Sequence, residues 1–365
     1  MNKNVLVLGT GKIGSLITYL LMNYDDYQVV VGDINFNGND MQRLKKHYAD
    51  LECVEIDVSD EKQLMQLMQS RNFDAVISSL PFFCNVTVAT VAKACQVSYF
   101  DLTEDVAVTK KIRELAEGAD CAFVPQCGLA PGFVGLAANS LMKDFDKVDN
   151  VNLRVGALPQ HINNSFAYAL TWSTEGLINE YIKPCHGIKD GKKITLQPMQ
   201  GLETVYLNGR EFEAFNTSGG LGSLVELCEN KVDILNYKTM RYPGHCEKMR
   251  FLLRDLKLHA DVDTLKRILE RSIPKTYQDM VIVYVTVTGM RKGAFLEKNI
   301  TEKIMPQRIA GILWSAIQVT TASSLCVIVD LVLREKEKYR GFVFQEQFDL
   351  QAFLDNRFAE YYRGD

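Results

Sequence analysis

The sequence lacks the features that mark several large classes of protein. It carries no basic excess, since 41 Lys and Arg stand against 45 Asp and Glu, giving a net charge of −4 and a pI near 5.9. No basic face for nucleic acid is therefore expected. No apolar run is expected to cross a bilayer, which takes roughly 20 residues, because the longest candidate, 309–332, is interrupted by polar residues such as Ser315 and Gln318. We expect neither nucleic acid nor a membrane as a partner.

Cysteine is plentiful, but its spacing is not that of the usual cysteine sites. The nine cysteines form no C-x-x-C pair, and several sit singly within apolar segments. Cys185 and Cys246 each adjoin a histidine, and neighbouring side chains do not converge easily on one ion. The pattern favours reduced, mostly buried thiols over disulfides and predicts no metal site.

The overall composition is that of a globular protein. A chain of 365 residues is long enough for two or three domains. Its hydrophobic fraction of 47% and charged fraction of 24% are ordinary. The first apolar run begins at Val5, which leaves no room for a signal peptide, so we expect a cytoplasmic location.

The N-terminal segment, up to residue 33, contains a recognisable order of elements. The apolar run 5–8 predicts a buried strand, and Gly9-Thr10-Gly11-Lys12-Ile13-Gly14 follows without a spacer. A helical pattern then begins, and a second apolar run, 29–31, leads to Asp33. Strand, Gly-x-Gly-x-x-Gly, helix, strand and acidic residue form the dinucleotide-binding fingerprint.

Each glycine of this turn has a mechanical role. Gly9 permits the tight turn off the strand, Gly11 lets a pyrophosphate approach the backbone, and Gly14 lets the helix lie against the sheet. Free N–H groups and the dipole at the start of the helix suit a diphosphate. The residues assigned to the cofactor are Gly9, Thr10, Gly11, Lys12, Ile13 and Gly14.

The acidic residue at the end of the second strand indicates the type of cofactor. Asp33 could accept hydrogen bonds from both ribose hydroxyls, whereas a 2′-phosphate there would meet like charge. No arginine follows in 34–37 to receive such a phosphate. The pattern therefore predicts NAD in preference to NADP. A glycine-rich turn without a ligand is the alternative.

Alternation of strands and helices continues to about residue 124 and predicts six strands. Ligands of such sheets bind at the carboxyl ends of the strands. This rule singles out for the cofactor the residues Asp57, Val58, Ser79, Leu80 and Pro81. Asp57 could instead be the N-cap of the helix that begins near Asp60. Asp101, at the end of the fifth strand, could face the active site or cap the helix of Val106.

The pattern changes near residue 146. The segment 151–155 alternates like a half-buried strand, turn signals occur at Asp190-Gly191 and Asn208-Gly209, and 281–289 is rich in β-branched residues. We predict an α/β protein with three parts. They are a doubly wound Rossmann domain at 1–127, an α+β domain with a mixed or antiparallel sheet for substrate and dimerisation at 128–305, and a helical segment at 306–365 packing back on the first domain.

Four motifs occur along the chain in one order. They are Gly-Thr-Gly-Lys-Ile-Gly at 9–14, Gly-Leu-Ala-Pro-Gly at 128–132, Leu-Thr-Trp-Ser-Thr-Glu-Gly-Leu-Ile at 170–178 and Met-Arg-Tyr-Pro-Gly-His at 240–245. With them the chain resembles the saccharopine dehydrogenase-like oxidoreductases, and within that family the L-lysine 6-dehydrogenases. The first motif is generic to nucleotide-binding domains, whereas the other three are specific as a set. Saccharopine reductases usually carry aspartate where this chain has Ala130, which points to the lysine dehydrogenase branch.

The resemblance implies oxidation of the ε-amine of L-lysine by NAD. Hydride leaves the ε-carbon, the imine hydrolyses and ammonia is released, and the 2-aminoadipate 6-semialdehyde formed cyclises to piperideine-6-carboxylate. A saccharopine dehydrogenase or reductase acting on a secondary amine is the alternative within the same fold. A catalytically silent, nucleotide-binding regulatory protein is the alternative from another class.

The reaction needs a carboxylate anchor, a proton acceptor and a group that activates water. Arg241 suits the carboxylate, unless it forms a surface ion pair. His245 could titrate near neutrality as a base or could be a core histidine. The other candidates are Asp101 and Glu175 as catalytic carboxylates (Glu175 otherwise a first-turn helix residue), Trp172 with Tyr168 as apolar walls or core, and Thr103 and Gln126 near the nicotinamide. A homodimer is expected, with a small-molecule amino acid as substrate.

Overall fold

The computed structural model describes residues 2–362, which form two compact units. Unit 1 contains the described residues up to Phe133 together with those from Thr321 onward, and unit 2 is Val134–Thr320. Both changes of unit fall within helices, Phe133–Met142 and Ala316–Arg334, whereas the sequence-based boundaries lay at 127/128 and 305/306. A helix gives no local signal where it passes from one core to the other, so composition did not locate these points.

Unit 1 is built on a parallel sheet of seven strands. Its first six strands are β1 (Lys3–Leu8), β2 (Tyr27–Asp33), β3 (Glu52–Glu55), β4 (Ala75–Ser78), β5 (Ser98–Asp101) and β6 (Ala122–Val124). The helices between them are α1 (Lys12–Met22), α2 (Asn39–His47), α3 (Glu61–Gln69), α4 (Asn85–Cys95) and α5 (Val106–Ala116). The strand order 3-2-1-4-5-6 is that of the dinucleotide-binding fold, which confirms the predicted α/β class.

The seventh strand comes from the far end of the chain. After α11 (Ala316–Arg334), Gly341–Phe342 pairs in parallel with Ala122 and Phe123 of β6, and α12 (Leu350–Asp355) follows. The segment from Thr321 onward thus belongs to the nucleotide-type unit, although sequence analysis expected only helices there. A strand of two residues is too short to produce a periodic pattern.

A buried carboxylate fastens this C-terminal segment to the start of the chain. The Asp330 side chain is fully buried and accepts hydrogen bonds from groups of both chain ends. These donors are Lys3 Nζ at 2.9 Å, Tyr27 Oη at 2.7 Å, Arg334 Nε at 2.8 Å, Asn356 Nδ2 at 2.8 Å and Arg357 at 3.1 Å. Burial alone would raise the pKa of Asp330, but the bonds from Lys3 and Tyr27 outweigh it and hold the pKa at about 2.

Unit 2 contains a mixed sheet, as predicted, and this sheet has eight strands. The strands are β7 (Lys147–Pro159), β8 (Cys185–Lys189), β9 (Lys192–Leu196), β10 (Glu203–Leu207), β11 (Arg210–Asn216), β12 (Val232–Arg241), β13 (Asp279–Arg291) and β14 (Ala294–Ile304). The main path is 10-11-12-7-13-14, with only β7 and β12 parallel, and β8 and β9 attached beside β12. Both predicted hairpin turns are present, between β8 and β9 and between β10 and β11.

The helices and a small hairpin complete unit 2. The helices are α6 (Phe133–Met142), α7 (Thr174–Ile182), α8 (Leu224–Cys228), α9 (His245–Arg250) and α10 (Val262–Ser272). The hairpin, β15 (Gln307–Ile309) with β16 (Ile312–Trp314), replaces the start of the helix expected from residue 306. Helical structure begins only at Ala316 because Asp279 accepts hydrogen bonds from the first N–H groups of α11 there.

By length and composition alone, α11 is the one helix in the described part of the chain that could span a membrane. The sequence analysis had discounted this run because of its polar residues. Such residues are compatible with an apolar helix, since Thr320 Oγ1 donates to the carbonyl of Ala316 at 2.9 Å. Of its most apolar window, 83% is buried inside the structure, and buried core helices commonly pass the same test.

Candidate functional site

The backbone of the glycine-rich turn in unit 1 is fixed by steric contacts. Gly9 has φ +92°, and a Cβ there would lie 2.6 Å from the carbonyl oxygen of Ser79. A Cβ on Gly14 would lie 1.9 Å from the carbonyl oxygen of Gly9. Both glycines are therefore required by the close packing of β1, α1 and the loop after β4.

Gly11 differs from these two because its surroundings are open. It is the N-cap of α1, no side chain caps the helix there, and a Cβ on Gly11 would meet no described atom within 4 Å. An external acceptor can therefore approach the first turn of α1 at Gly11. The space at Gly11 and the helix N-terminus fit the diphosphate of a dinucleotide.

Asp33 lies at the end of β2 and is hydrogen-bonded to this turn. Its Oδ2 accepts from the backbone N–H of Thr10 at 2.6 Å and from the Thr10 hydroxyl at 2.7 Å. Its Oδ1 accepts a longer bond, 3.4 Å, from the N–H of Asn35. The carboxylate therefore braces the glycine-rich turn while standing at the position from which such folds bind a ribose.

The other predicted cofactor residues also lie at the carboxyl edge of the sheet. Asp57 is exposed and accepts from the N–H of Ser59 at 2.9 Å, whereas the N-cap of α3 is Asp60, so the capping alternative for Asp57 is wrong. Val58 is buried beside it. The Ser79 N–H donates to the carbonyl of Leu8 at 2.8 Å, which holds the segment 79–81 against the turn.

Asp101, at the end of β5, is fully buried and does not cap a helix. Its Oδ1 accepts from the N–H groups of Thr103 at 2.9 Å and Gln126 at 3.0 Å, and its Oδ2 accepts from the Tyr99 hydroxyl at 2.7 Å. The cap of α5 is Asp105 instead. Burial raises the pKa of Asp101 to about 6. The carboxylate, with the backbones of Thr103 and Gln126, ties the loops after β5 and β6 together.

The same edge carries an acidic residue that sequence analysis did not single out. Glu104 follows the Asp101 loop and is partly exposed. Desolvation by the surrounding protein raises the pKa of its carboxyl group to about 7, with a further contribution from the charges of Asp105 and Asp101. Its position shortly after the end of β5 could have identified Glu104, but the sequence analysis applied that rule to Asp101 alone. Glu104 is thus a partly exposed carboxyl group at this edge with a pKa near neutrality.

In unit 2, Arg241 forms a buried ion pair instead of a surface one. Its guanidinium donates to Glu180 Oε1 at 3.1 Å, to the Tyr181 hydroxyl at 3.0 Å and to its neighbour's carbonyl, Met240 O, at 2.9 Å. The guanidinium also lies 4.9 Å from the centroid of the Tyr168 ring. The carboxylate that Arg241 binds is thus that of Glu180, whereas the sequence analysis expected the carboxylate of a substrate. No sequence pattern indicated this pairing.

His245 begins α9 and completes the same cluster. Its Nε2 lies 3.1 Å from the Tyr181 hydroxyl and its Nδ1 lies 2.9 Å from the carbonyl of Phe166. Burial, and next the charge of Arg241, lower the pKa of His245 to about 3. The expectation that His245 titrates near neutrality is wrong, and the core alternative holds for this imidazole.

The remaining predicted residues of unit 2 divide between this cluster and the surface. Trp172 Nε1 donates to the Tyr168 hydroxyl at 3.2 Å, so both side chains belong to the cluster. Glu175 lies in the first turn of α7, more than half exposed, and pairs with Lys266. Burial alone would raise the pKa of Glu175, but this pairing outweighs it and lowers the pKa. The structure therefore agrees with the alternative interpretation of Glu175, as a residue of the first turn of a helix.

Family models match nearly the whole of both units. Residues 5–123 match the saccharopine dehydrogenase NADP binding domain, and residues 128–360 match the saccharopine dehydrogenase C-terminal domain. The chain belongs to the saccharopine dehydrogenase family. Unit 1 therefore contains the family's NAD(P)-binding domain, and the resemblance seen in the sequence motifs is confirmed.

Curated relatives agree with this assignment. The chain is 29% identical over 208 residues to the mitochondrial alpha-aminoadipic semialdehyde synthase of Rattus norvegicus, covering 53% of this chain and 21% of that protein. It is 26% identical over 204 residues to the saccharopine dehydrogenase [NADP(+), L-glutamate-forming] of Saccharomyces cerevisiae, covering 53% and 43%. The chain thus spans less than half the length of these relatives.

Solved structures share the fold over almost the full chain. The apo saccharopine dehydrogenase (L-Glu forming) from Saccharomyces cerevisiae matches with a TM-score of 0.77 at 18% identity, covering 96% of this chain and 95% of that one. A homospermidine synthase from Legionella pneumophila in complex with NAD matches with a TM-score of 0.68 at 14% identity, covering 100% and 90%. At these identities the likeness establishes the saccharopine dehydrogenase fold alone.

Two substitutions in the glycine-rich turn distinguish a glycine that leaves space for a ligand, Gly11, from one that close packing requires, Gly14. Gly11→Ala should cost only about 1 kcal/mol of stability, yet weaken NAD(P) binding by about tenfold or more because the methyl group would fill space that fits a diphosphate. Gly14→Ala should cost about 3 kcal/mol or more, because its methyl group would overlap the Gly9 carbonyl. Calorimetric titration and urea unfolding measure the two effects. Unchanged NAD(P) affinity in Gly11→Ala would contradict a diphosphate at α1.

The depressed pKa of His245 predicts a pH-dependent stability. Between pH 6.5 and about 3 the unfolded chain binds a proton at His245 that the folded chain does not, so stability is lost as the pH falls. In His245→Phe the free energy of unfolding should vary with pH by about 1.4 kcal/mol per unit less than in the unsubstituted chain. His161→Phe, at an exposed position, is the control and should keep the original slope. Equal slopes in both variants would refute the buried neutral imidazole.

Proposed function

We propose that this chain is an NAD-dependent oxidoreductase that acts on a C–N bond of a lysine-derived amino acid. The observation that carries the proposal is the open N-terminus of α1 at Gly11, set beside the Asp33 carboxylate within a matched NAD(P)-binding domain. A coenzyme with its diphosphate held there would supply the nicotinamide that takes up the hydride. The protein's part is to hold the coenzyme, orient the substrate and move a proton.

The preference for NAD over NADP rests on the charge at the end of β2. Asp33 would repel a 2′-phosphate, and the segment 34–37 supplies no arginine to bind one. The family domain and the yeast relative carry NADP in their names, so this chain would differ from them in coenzyme. The difference would follow from a single carboxylate that also braces the glycine-rich turn through Thr10.

For the substrate we propose L-lysine, oxidised at its ε-carbon with release of ammonia. Saccharopine carries a second dicarboxylate end that needs a further cationic site. His161, Arg154 and Lys183 are the cations that could supply one, but the buried guanidinium of Arg154 is already paired with Glu203. Ala130, in place of the aspartate usual in saccharopine reductases, also favours the smaller amine. Saccharopine stays the second candidate, because the yeast relative's name states that substrate.

Oxidation of an amine requires removal of a proton from the ammonium before hydride can leave. Asp101 is fully buried and hydrogen-bonded, His245 is neutral and enclosed, and Glu175 is held by Lys266. Glu104 is the acidic residue at the carboxyl edge of unit 1 that is partly exposed and has a pKa of about 7. We assign it the role of proton acceptor, with Asp101 positioning its loop through the N–H of Thr103.

A coenzyme reduction assay tests the function. The purified protein is mixed with NAD or NADP and with L-lysine or saccharopine at alkaline pH, and formation of the reduced coenzyme is followed by absorbance. We expect turnover with NAD and lysine, with ammonia released in equal amount. Turnover with saccharopine and release of glutamate would replace lysine by the second candidate. Coenzyme binding without any turnover would leave a nucleotide-binding regulatory protein as the interpretation.

Substitution of Glu104 tests the proton acceptor. Glu104→Gln should lower kcat by about 100-fold and remove the ionisation near pH 7, above which the unsubstituted enzyme gains activity as the base loses its proton. NAD affinity should stay unchanged, and Glu104→Asp should keep part of the activity together with the pH dependence. If Glu175→Gln abolishes turnover while Glu104→Gln does not, the base lies on α7 in unit 2.

A further inference from the structure

The start of α2 lies close to the glycine-rich turn and to the end of β2. A Cβ on Gly38, the N-cap residue of α2, would lie 4.0 Å from the carbonyl oxygen of Thr10. The N–H and hydroxyl groups of Thr10 in turn donate to the carboxylate of Asp33. Three segments of unit 1 therefore converge at the position expected for the adenosine ribose of the coenzyme.

Asp40, in the first turn of α2, adds a second carboxylate to this region. Its side chain is only 11% exposed, and its Oδ1 is buried with no hydrogen-bond partner among the residues that the structure describes. Arg43 Nη1 lies 3.6 Å from this oxygen, which makes an ion pair without a hydrogen bond. Burial raises the pKa of Asp40, and the positive charges of Arg43 and of Lys12 in the glycine-rich turn oppose that rise. Asp40 therefore interacts electrostatically with both cations.

Lys12 and Arg43 are of the residue types that bind phosphate groups in proteins. In NADP-binding members of this fold, an arginine near the end of β2 accommodates the 2′-phosphate. The segment 34–37 contains no arginine, but α2 brings Arg43 to this region with its side chain 52% exposed. Lys45, farther along α2, lies over the ring of Phe36 instead, with its Nζ 4.5 Å from the ring centroid. The composition of 34–37 alone is therefore not sufficient to exclude a 2′-phosphate.

The formal charges of the four residues in this region cancel. Asp33 and Asp40 carry two negative charges, and Lys12 and Arg43 carry two positive charges. A phosphate group with a charge of about −1.5 to −2 near neutral pH would gain no net attraction there, whereas the neutral ribose hydroxyls of NAD require none. Removal of the Asp40 charge alone would leave one net positive charge to attract a phosphate.

We propose that Asp40 is a specificity-determining residue for the coenzyme, because it neutralises Lys12 and Arg43 and so keeps both from binding the 2′-phosphate of NADP. With these cations neutralised, the carboxylate of Asp33 decides between the two coenzymes. The inference rests on the proposed function, in which NAD is the coenzyme.

Replacement of the Asp40 carboxylate by an amide of the same shape tests this role. Asp40→Asn should tighten NADP binding about tenfold and leave NAD binding within about twofold, because only NADP carries the additional phosphate. The gain should shrink as the salt concentration is raised. A merely structural role would change both affinities alike and without this salt dependence. Calorimetric titration measures the two dissociation constants, and thermal unfolding verifies that the variant is folded.

Two further variants separate the local effect from a general change in charge. Asp50→Asn removes the same charge from an exposed position beyond the opposite end of α2 and should leave both affinities unchanged. The double variant Asp40→Asn/Arg43→Ala should lose most of the gain in NADP affinity, because one of the two cations released by the first substitution is then missing.

The possible results distinguish this inference from the proposed function. Unchanged NADP affinity in Asp40→Asn, with NAD bound normally, would overturn the role of Asp40 and leave the NAD-dependent function in place. An equal gain in Asp50→Asn would also overturn it, since the effect would then come from the net charge of the protein. Tighter binding of NADP than of NAD by the unsubstituted protein would overturn both the coenzyme preference and the role of Asp40.

Discussion

The structure of unit 1 depends on one buried charge. Asp330 stays ionised away from water because hydrogen-bond donors from both ends of the chain surround it, and their removal would leave an uncompensated buried carboxylate. Through Lys3 and Tyr27 the same group touches the strands that flank the glycine-rich turn. The glycine-rich turn is thus held by close packing at Gly9 and Gly14, and the strands on either side of it are held by their hydrogen bonds to Asp330.

The ionisable groups differ in function according to how deeply they are buried. The fully enclosed groups Asp101 and His245 organise loops and aromatic side chains through their hydrogen bonds. Arg241 and Glu180 neutralise each other inside unit 2. Glu104, in contrast, is partly exposed at the edge where the nucleotide turn also lies, and its pKa of about 7 suits the proton transfer proposed for it.

Elements with local signals could be predicted from the sequence. The turn 9–14, the hairpin turns at Gly191 and Gly209 and the six strands of unit 1 each depend on periodicity or on glycine, which neighbouring residues reveal. Burial of Arg241 could not be predicted, because its partner Glu180 lies sixty-one positions earlier and only the fold brings the two together. The pKa values of His245 and Glu104 depend on desolvation, which a linear sequence does not display.

The placement of Gly341–Phe342 beside β6 has a consequence for biosynthesis. The ribosome completes all of unit 2 before it makes the last strand of unit 1 and the Asp330 anchor. While unit 2 is being translated, the part of unit 1 before it therefore has strand β6 without its neighbour, Gly341–Phe342. Synthesis from the N-terminus to the C-terminus favours folding of unit 2 ahead of unit 1, so the NAD(P)-binding domain is completed last.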